Sequence, residues 1–183
     1  MIQAAVLLRA LSFAAAKHST QRRKDASASP YINHPIAVAM ALASEGGVTE
    51  EAPLLAAVLH DTVEDTDTTF SELANEFGTT VAELVREVTD DKALDKAVRK
   101  RLQFEHAAAS SVWAKQIKIA DKLSNIRDLT DHPPEWPVER KQEYFDWAEQ
   151  VVAGCRGVNP SLERSFDEAL ARARQIYRTI GGD

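Results

Sequence analysis

The 183 residues, 44% of them hydrophobic and 27% charged, suit one full-sized domain with a proper core and fall short of two. A formal net charge of −6 argues against general nucleic-acid binding, which needs a basic face, but leaves room for a small phosphorylated ligand at a local basic cluster. Cys155 is the only cysteine, which excludes a disulfide framework and a thiolate metal site and fits a reducing, cytoplasmic setting. No apolar run is long enough to span a bilayer, so no membrane partner is expected.

Helical periodicity runs through the chain, and no sustained two-residue alternation of β-branched and aromatic residues marks a strand. The opening MIQAAVLLRALSFAAAKH lacks the basic start of an export signal. Arg9 and Lys17 fall on the polar side of an amphipathic helix over 2–17. Further helices are predicted over 34–45, 50–62, 69–77, 79–89, 93–108, 111–130, 137–153 and 160–179. Thr69 with Glu72 fits a capping box, and the Gly78-Thr79 pair ends one helix and opens the next. Leu94, Val98 and Leu102 form an apolar stripe among Lys92, Lys96, Arg99, Lys100 and Arg101. Pro133, Pro134 and Pro137 break the chain after residue 130, and Asn159-Pro160-Ser161 opens the last helix. No internal repeat or low-complexity linker interrupts the series. The expected architecture is a single all-α domain over 1–183, with nine to ten helices around a cleft.

One stretch carries chemistry. HDTVED (60–65) sets a histidine and three carboxylates at the end of the apolar run APLLAAVL. Buried carboxylates are costly unless paired or bound to a metal. Residues four apart share a helix face, so Glu64 stacks beyond His60 and Asp65 beyond Asp61. An imidazole beside a carboxylate suits a divalent metal, and the mixed nitrogen and oxygen set favours manganese, iron, cobalt or zinc over calcium. A second carboxylate pair a turn away can orient or deprotonate water. One helix cannot fill a coordination sphere. His34 in PYINHPIAVAM and Asp121 in QIKIADKLSNIRDL are the candidates for the rest. Each also has a plain alternative: His34 as a helix cap or satisfied surface group, Asp121 as a solvated residue or a partner of Lys118 or Lys122. The ordered set H…HD…D, at intervals of 26 and 60 residues in a helical chain, carries more weight than any member.

The surroundings narrow the reading. RRKDASASPYINHP, LLAAVLHDTVEDTDTT, VREVTDDK and IKIADKLSNIRDL together resemble the hydrolase domain of the RelA/SpoT family, within the HD phosphohydrolase superfamily. With QEYFDWAEQVVAG and the compact length, the chain is most similar to the free-standing small alarmone hydrolases, including the metazoan SpoT homologues. The resemblance runs from about residue 9 to about residue 175. It implies removal of pyrophosphate from the 3′ position of (p)ppGpp with one manganese ion, by a hydrolase that carries no synthetase domain. By similarity His34, His60, Asp61 and Asp121 are the metal ligands, and Glu64 and Asp65 position and activate the water. The residues matching Arg23 and Lys24 line the family's nucleotide site, where Arg can stack on a base and grip phosphate with a planar fork. Asn125, one turn beyond Asp121, is expected to face the same cleft and bond the ribose or a phosphate. Tyr144 resembles a tyrosine near the substrate, with Arg140 one turn before it. Lys96 and Arg101 are candidates for the distal 5′ phosphates, against a plain reading as a solvated basic face. Phe145 and Trp147 are expected in the core.

Three other readings stay open at this stage. The same chemistry could act on another nucleotide, an adenosine alarmone or the 2′-phosphate of NADPH. A degenerate domain could bind nucleotide without cleaving it, although retention of every ligand with Glu64 and Asp65 speaks against that. A purely structural helical protein would leave HDTVED unexplained.

Overall fold

The computed structural model describes residues 3–180. Its elements run α1 (Ala4–Lys17), α2 (Asn33–Met40), a π-helical turn (Ala41–Glu45), α3 (Glu51–Leu59), α4 (Thr62–Asp65), α5 (Phe70–Phe77), α6 (Thr79–Val88), α7 (Lys96–Ala107), α8 (Val112–Asp131), α9 (Val138–Cys155) and α10 (Pro160–Ile180). Among the described residues the only β pairing is an isolated bridge between Arg22 and Pro30. The fold is therefore all-α, as expected. The predicted start of the first helix at residue 2 lies outside the described residues.

Two helices are central: α3, apolar on nearly every side, and α8, polar in much of its sequence but enclosed by its neighbours. In α3 every residue from Pro53 to Leu59 is buried. In α8 the buried set includes Ile117, Ile119, Ala120, Leu123 and Ile126, because α2, α3, α6, α9 and α10 all pack against it. A helix as hydrophobic all round as α3 belongs in a core. Phe145 of α9 and Phe166 of α10 are fully buried against this centre, and truncating either to alanine should cost about 3–5 kcal/mol. At Gly154 an added Cβ would stand only 2.8 Å from the Ala107 Cβ, so glycine sets how closely α7 and α9 approach.

The helix ends follow local chemistry. Thr69 Oγ1 accepts from the Glu72 amide at 3.1 Å, but the Glu72 carboxylate turns to Lys17, 3.1 Å away, so only half of the expected capping box forms. Gly78 separates α5 from α6 at φ 93°, a backbone region that favours glycine. Helix α7 begins at Lys96 instead of residue 93. Asp91 Oδ1 accepts from the Ala93 amide at 2.9 Å and its carbonyl accepts from Leu94 at 3.1 Å, a local turn that competes with the helix. The stripe around it is looser than expected, with Leu94 38% exposed.

The predicted helix over 50–62 breaks after Leu59. Thr62 Oγ1 donates to the Leu59 carbonyl at 2.7 Å, drawing off a helix acceptor and tightening the chain there. Helical geometry resumes at once, since the Asp65 amide donates to the Asp61 carbonyl at 2.9 Å. The break lies at His60 and Asp61, which both keep right-handed helical dihedrals.

Candidate active site

His34 enters the interior from the first turn of α2, and its Nδ1 lies 3.1 Å from Ser124 Oγ on α8. His60 closes α3. Its Nδ1 lies 2.8 Å from the Ala57 carbonyl, which can only accept, so Nδ1 carries the proton and Nε2 presents a lone pair when the ring is neutral. That Nε2 is buried and has no hydrogen-bond partner among the described residues. It faces two carboxylates: Asp61 Oδ2 at 3.1 Å, without hydrogen-bonding alignment, and Asp121 Oδ1 at 4.0 Å. His34 Nε2 meets the same pair, 3.1 Å from Asp121 Oδ1 and 3.7 Å from Asp61 Oδ2. Donor atoms of His34, His60 and Asp121 all lie within 4.8 Å of one another. All four residues singled out in the sequence therefore converge.

The electrostatics of this cluster call for positive charge. Burial alone would depress the His60 imidazolium, yet Asp61 and Asp121 push its pKa up to about 9. Burial likewise works against ionised Asp61, but His60 and His34 hold its carboxyl well below the usual range. Two imidazoles and two carboxylates with an unpartnered nitrogen fit a divalent transition metal, and residues around them fix the set. Lys122 Nζ lies 2.7 Å from Asp121 Oδ2, so the plain reading of Asp121 as an ion-pair partner also holds, on its other oxygen. Asn125 Nδ2 donates to Asp121 Oδ1 at 2.7 Å.

Glu64 and Asp65 line the same cavity of about 180 Å³ as the four candidate ligands. Glu64 Oε2 accepts from the Asp90 amide at 3.0 Å, and Oε1 stands 3.6 Å from Arg99. Burial, against that amide bond, pushes its carboxyl up to about 7. Asp65 pairs with Lys92. Neither is a solvated helix terminus. Tyr31, which sequence reasoning passed over, donates to Asp61 Oδ2 at 2.7 Å and reaches Asp65 Oδ2 at 3.3 Å. The available signal was its place in the run leading into His34.

A cavity of about 390 Å³ adjoins this one and is lined by Arg23, Lys24, Asn125 and Tyr144. Arg23 donates to Asn125 Oδ1 at 3.0 Å and pairs with Asp128, so its planar head is held at the junction of the two cavities. Lys96 and Arg140 stand apart from that group, in a groove of about 430 Å³ that includes Lys24 and Tyr144. Trp136 joins the two spaces, with Arg140 4.0 Å and Lys24 5.8 Å from its ring centre. It lies in the proline-rich stretch after α8, where the prolines stood out in the sequence and the tryptophan did not. Arg101 pairs with Glu105 at 3.4 Å on an exposed face, in keeping with its plain reading. Phe145 is in the core, but Trp147 is not fully buried. Its indole N–H donates to the Lys100 carbonyl at 2.9 Å, and Lys122 and Lys100 lie 4.5 and 4.9 Å from its ring. The polar handle and π-face of a tryptophan suit such a boundary better than a dry interior.

The family model described as HD domain matches residues 10–149. The chain is 57% identical over 165 residues to the guanosine-3′,5′-bis(diphosphate) 3′-pyrophosphohydrolase MESH1 of Xenopus tropicalis, covering 90% of this chain and 92% of that protein. The Homo sapiens protein of the same name gives the same identity and coverage. A solved structure described as a metazoan orthologue of SpoT that hydrolyses ppGpp superposes with a TM-score of 0.90 at 50% identity, covering 94% of this chain and 97% of that one. Through these matches the chain belongs to the HD-domain family, in the small RelA/SpoT-type branch that holds the metazoan SpoT homologues.

Proposed function

We propose that the chain hydrolyses guanosine 3′,5′-bis(diphosphate) to guanosine 5′-diphosphate and pyrophosphate, using one divalent ion, manganese, held by His34, His60, Asp61 and Asp121. The observation that carries this is the convergence of four donor groups, one of them the unpartnered His60 Nε2, with Glu64 in the same cavity. The names borne by relatives more than half identical over nine-tenths of the chain supply the substrate class.

A bound divalent ion supplies charge neutralisation at the phosphoryl oxygens and acidifies a water. The protein does the rest. Glu64, with a pKa near neutrality, accepts a proton from the attacking water, an effect expected to contribute roughly 10²–10⁴-fold in rate. The water oxygen bonds to the phosphorus attached to the 3′-oxygen, that phosphorus–oxygen bond breaks, and the 3′-oxygen takes a proton. Asp65, held by Tyr31 and Lys92, positions the water beside Glu64. Arg23, Asn125 and Tyr144 take the nucleoside side, and Lys24, Lys96 and Arg140 offer positive charge to the 5′ phosphates.

The test is release of pyrophosphate and orthophosphate from ppGpp, ppApp and NADPH side by side, by manganese-loaded protein. Pyrophosphate from ppGpp above the other two is the expected result. Stronger turnover of ppApp or NADPH would keep the chemistry and replace the substrate. Silence on all three with manganese bound would leave a nucleotide-binding module.

A further inference from the structure

Lys118 has no part in the mechanism above, and its placement is unusual. It lies on α8 one turn before Asp121 and Lys122, and only 9% of its surface is exposed. Its stem is enclosed and its side chain lines the wall between two cavities, and an ammonium held in so confined a place is costly without a counter-charge. Among the described residues no carboxylate stands within ion-pairing distance of it, and its side chain forms no hydrogen bond. The acids nearby are already engaged. Asp121 Oδ2 is 2.7 Å from Lys122, and Asp90 Oδ2 accepts from Gln103 at 2.6 Å. Burial and then Lys122 work against its charge more strongly than Asp90 and Asp121 support it. A methionine would fill this position at less cost, unless an anion arrives there.

The cavities show where that anion comes from. The 390 Å³ cavity meets the 180 Å³ metal cavity along Arg23, Tyr31, Asp65 and Asn125. On the other side, Lys118 and Gln103 separate the metal cavity from a third space of about 240 Å³ beneath α7. This third space shares no lining residue with the first. The three lie in series: nucleoside, candidate ligand cluster, then Lys118. The rear space also takes in Arg99, whose Nε is buried with no hydrogen-bond partner. Of its acidic residues, Glu87 accepts from the Ser111 amide and Asp91 from the Ala93 amide.

We infer that Lys118 holds the pyrophosphate end of the substrate and of the departing product, on the wall of the metal cavity opposite the nucleoside. The inference rests on the reaction proposed above, because a nucleoside in the 390 Å³ cavity and its 3′-bonded phosphorus at the ligand cluster turn the terminal phosphate of the 3′-diphosphate toward this wall. The phosphoanion supplies the missing counter-charge, and the unpartnered Arg99 Nε lies behind it. Lys118 then favours a substrate that releases pyrophosphate over one that releases a single phosphate, which offers it no terminal phosphate beyond the attacked phosphorus.

The experiment compares wild type, Lys118→Met and Lys118→Arg, each at saturating free manganese, for binding of inorganic pyrophosphate and of guanosine 5′-diphosphate. One charge-assisted hydrogen bond contributes about 1.5–3 kcal/mol, so Lys118→Met should weaken pyrophosphate roughly 10–100-fold. The nucleotide should bind as before, manganese stoichiometry should hold, and Lys118→Arg should retain most of the pyrophosphate affinity. Unchanged pyrophosphate binding in Lys118→Met, or an equal loss for both ligands, overturns the inference. If Lys118→Met fails to fold, Lys118→Arg decides alone: loss of pyrophosphate affinity equal to loss of nucleotide affinity counts against the site. The titrated ligand is pyrophosphate and not alarmone. A wild-type protein inert toward ppGpp would therefore sink the proposed substrate while this titration still decides on Lys118.

Discussion

Tyr31 and Asp61 are tied by a 2.7 Å hydrogen bond from the phenol to Oδ2, and the same hydroxyl lies 3.3 Å from Asp65 Oδ2. One phenolic proton thus spans a candidate ligand and a candidate catalytic carboxylate. Burial, and then the charges of Asp61 and Asp65, raise the Tyr31 pKa far above the usual phenol range, so it remains a donor at any working pH. Tyr31→Phe removes this donor and keeps the ring, which also packs 4.9 Å from His18. The expected result is a fold that persists with manganese affinity reduced about 10–100-fold, as for other partners that orient metal ligands. Equilibrium dialysis reads it, and unchanged affinity would assign Tyr31 to packing.

Removing the metal should be visible in stability. Without an ion, Asp61 and Asp121 share one enclosed cluster, with Lys122 on Asp121 and a proton on His60 as the compensating charges. At a free manganese concentration of 100 times Kd, binding contributes about 2.7 kcal/mol. For a domain of this size a chelator should therefore lower Tm by about 5–10 °C. Asp121→Ala and Asp61→Ala should each abolish both the manganese-dependent shift and stoichiometric binding. Retention of one ion per chain in either variant would remove that residue from the set.

Lys24 and Arg23 are adjacent in sequence but differently placed, so their variants should separate. Arg23 is fixed by Asn125 and Asp128, and its loss disturbs Asn125, which also bonds Asp121. Lys24 is exposed, with only the Trp136 face nearby. A mobile charge that grips phosphate equally in ground and transition states lowers KM alone. Lys24→Ala should raise KM for ppGpp several-fold with little change in kcat. A loss confined to kcat would contradict that role.

Local patterns carried the helices, and distant pairings carried what the sequence concealed. Periods of 3.6 residues, the prolines after 130 and Gly78 mark boundaries from neighbours alone, and nine predicted segments correspond to real helices. The H…HD…D set was legible because buried histidine and aspartate are conspicuous at any separation. Tyr31, Trp136 and Lys118 were not. Their significance comes from partners on other elements, such as Tyr31 with Asp61 and Asp65, 30 and 34 residues on. Trp147 was misread for a related reason. Composition places an aromatic inside, but only the packing of α7 and α8 against α9 brings Lys100 and Lys122 to its ring. The break after Leu59, where the Thr62 hydroxyl bonds the Leu59 carbonyl, lies beyond the reach of periodicity.

Glu64 joins catalysis to stability with a sign that can be checked. Burial raises its carboxyl from the ordinary 4.5 to about 7, so the unfolded chain releases this proton first as pH rises. The contribution of the group to stability is greatest below about pH 4.5, declines up to about pH 7 and is constant above. A shift of that size corresponds to about 3 kcal/mol at its full extent. Glu64→Gln removes the penalty, so metal-free variant and wild type should melt together near pH 4, with the variant the more stable above pH 7. Activity should move the other way, with kcat down roughly 10²–10⁴-fold and manganese still bound. The acidic limb of the wild-type kcat/KM profile should vanish with it. A variant that gains stability at high pH but turns over ppGpp at the wild-type rate would leave Glu64 a strained buried acid and place the water-activating group elsewhere, with Asp65 next to be tested.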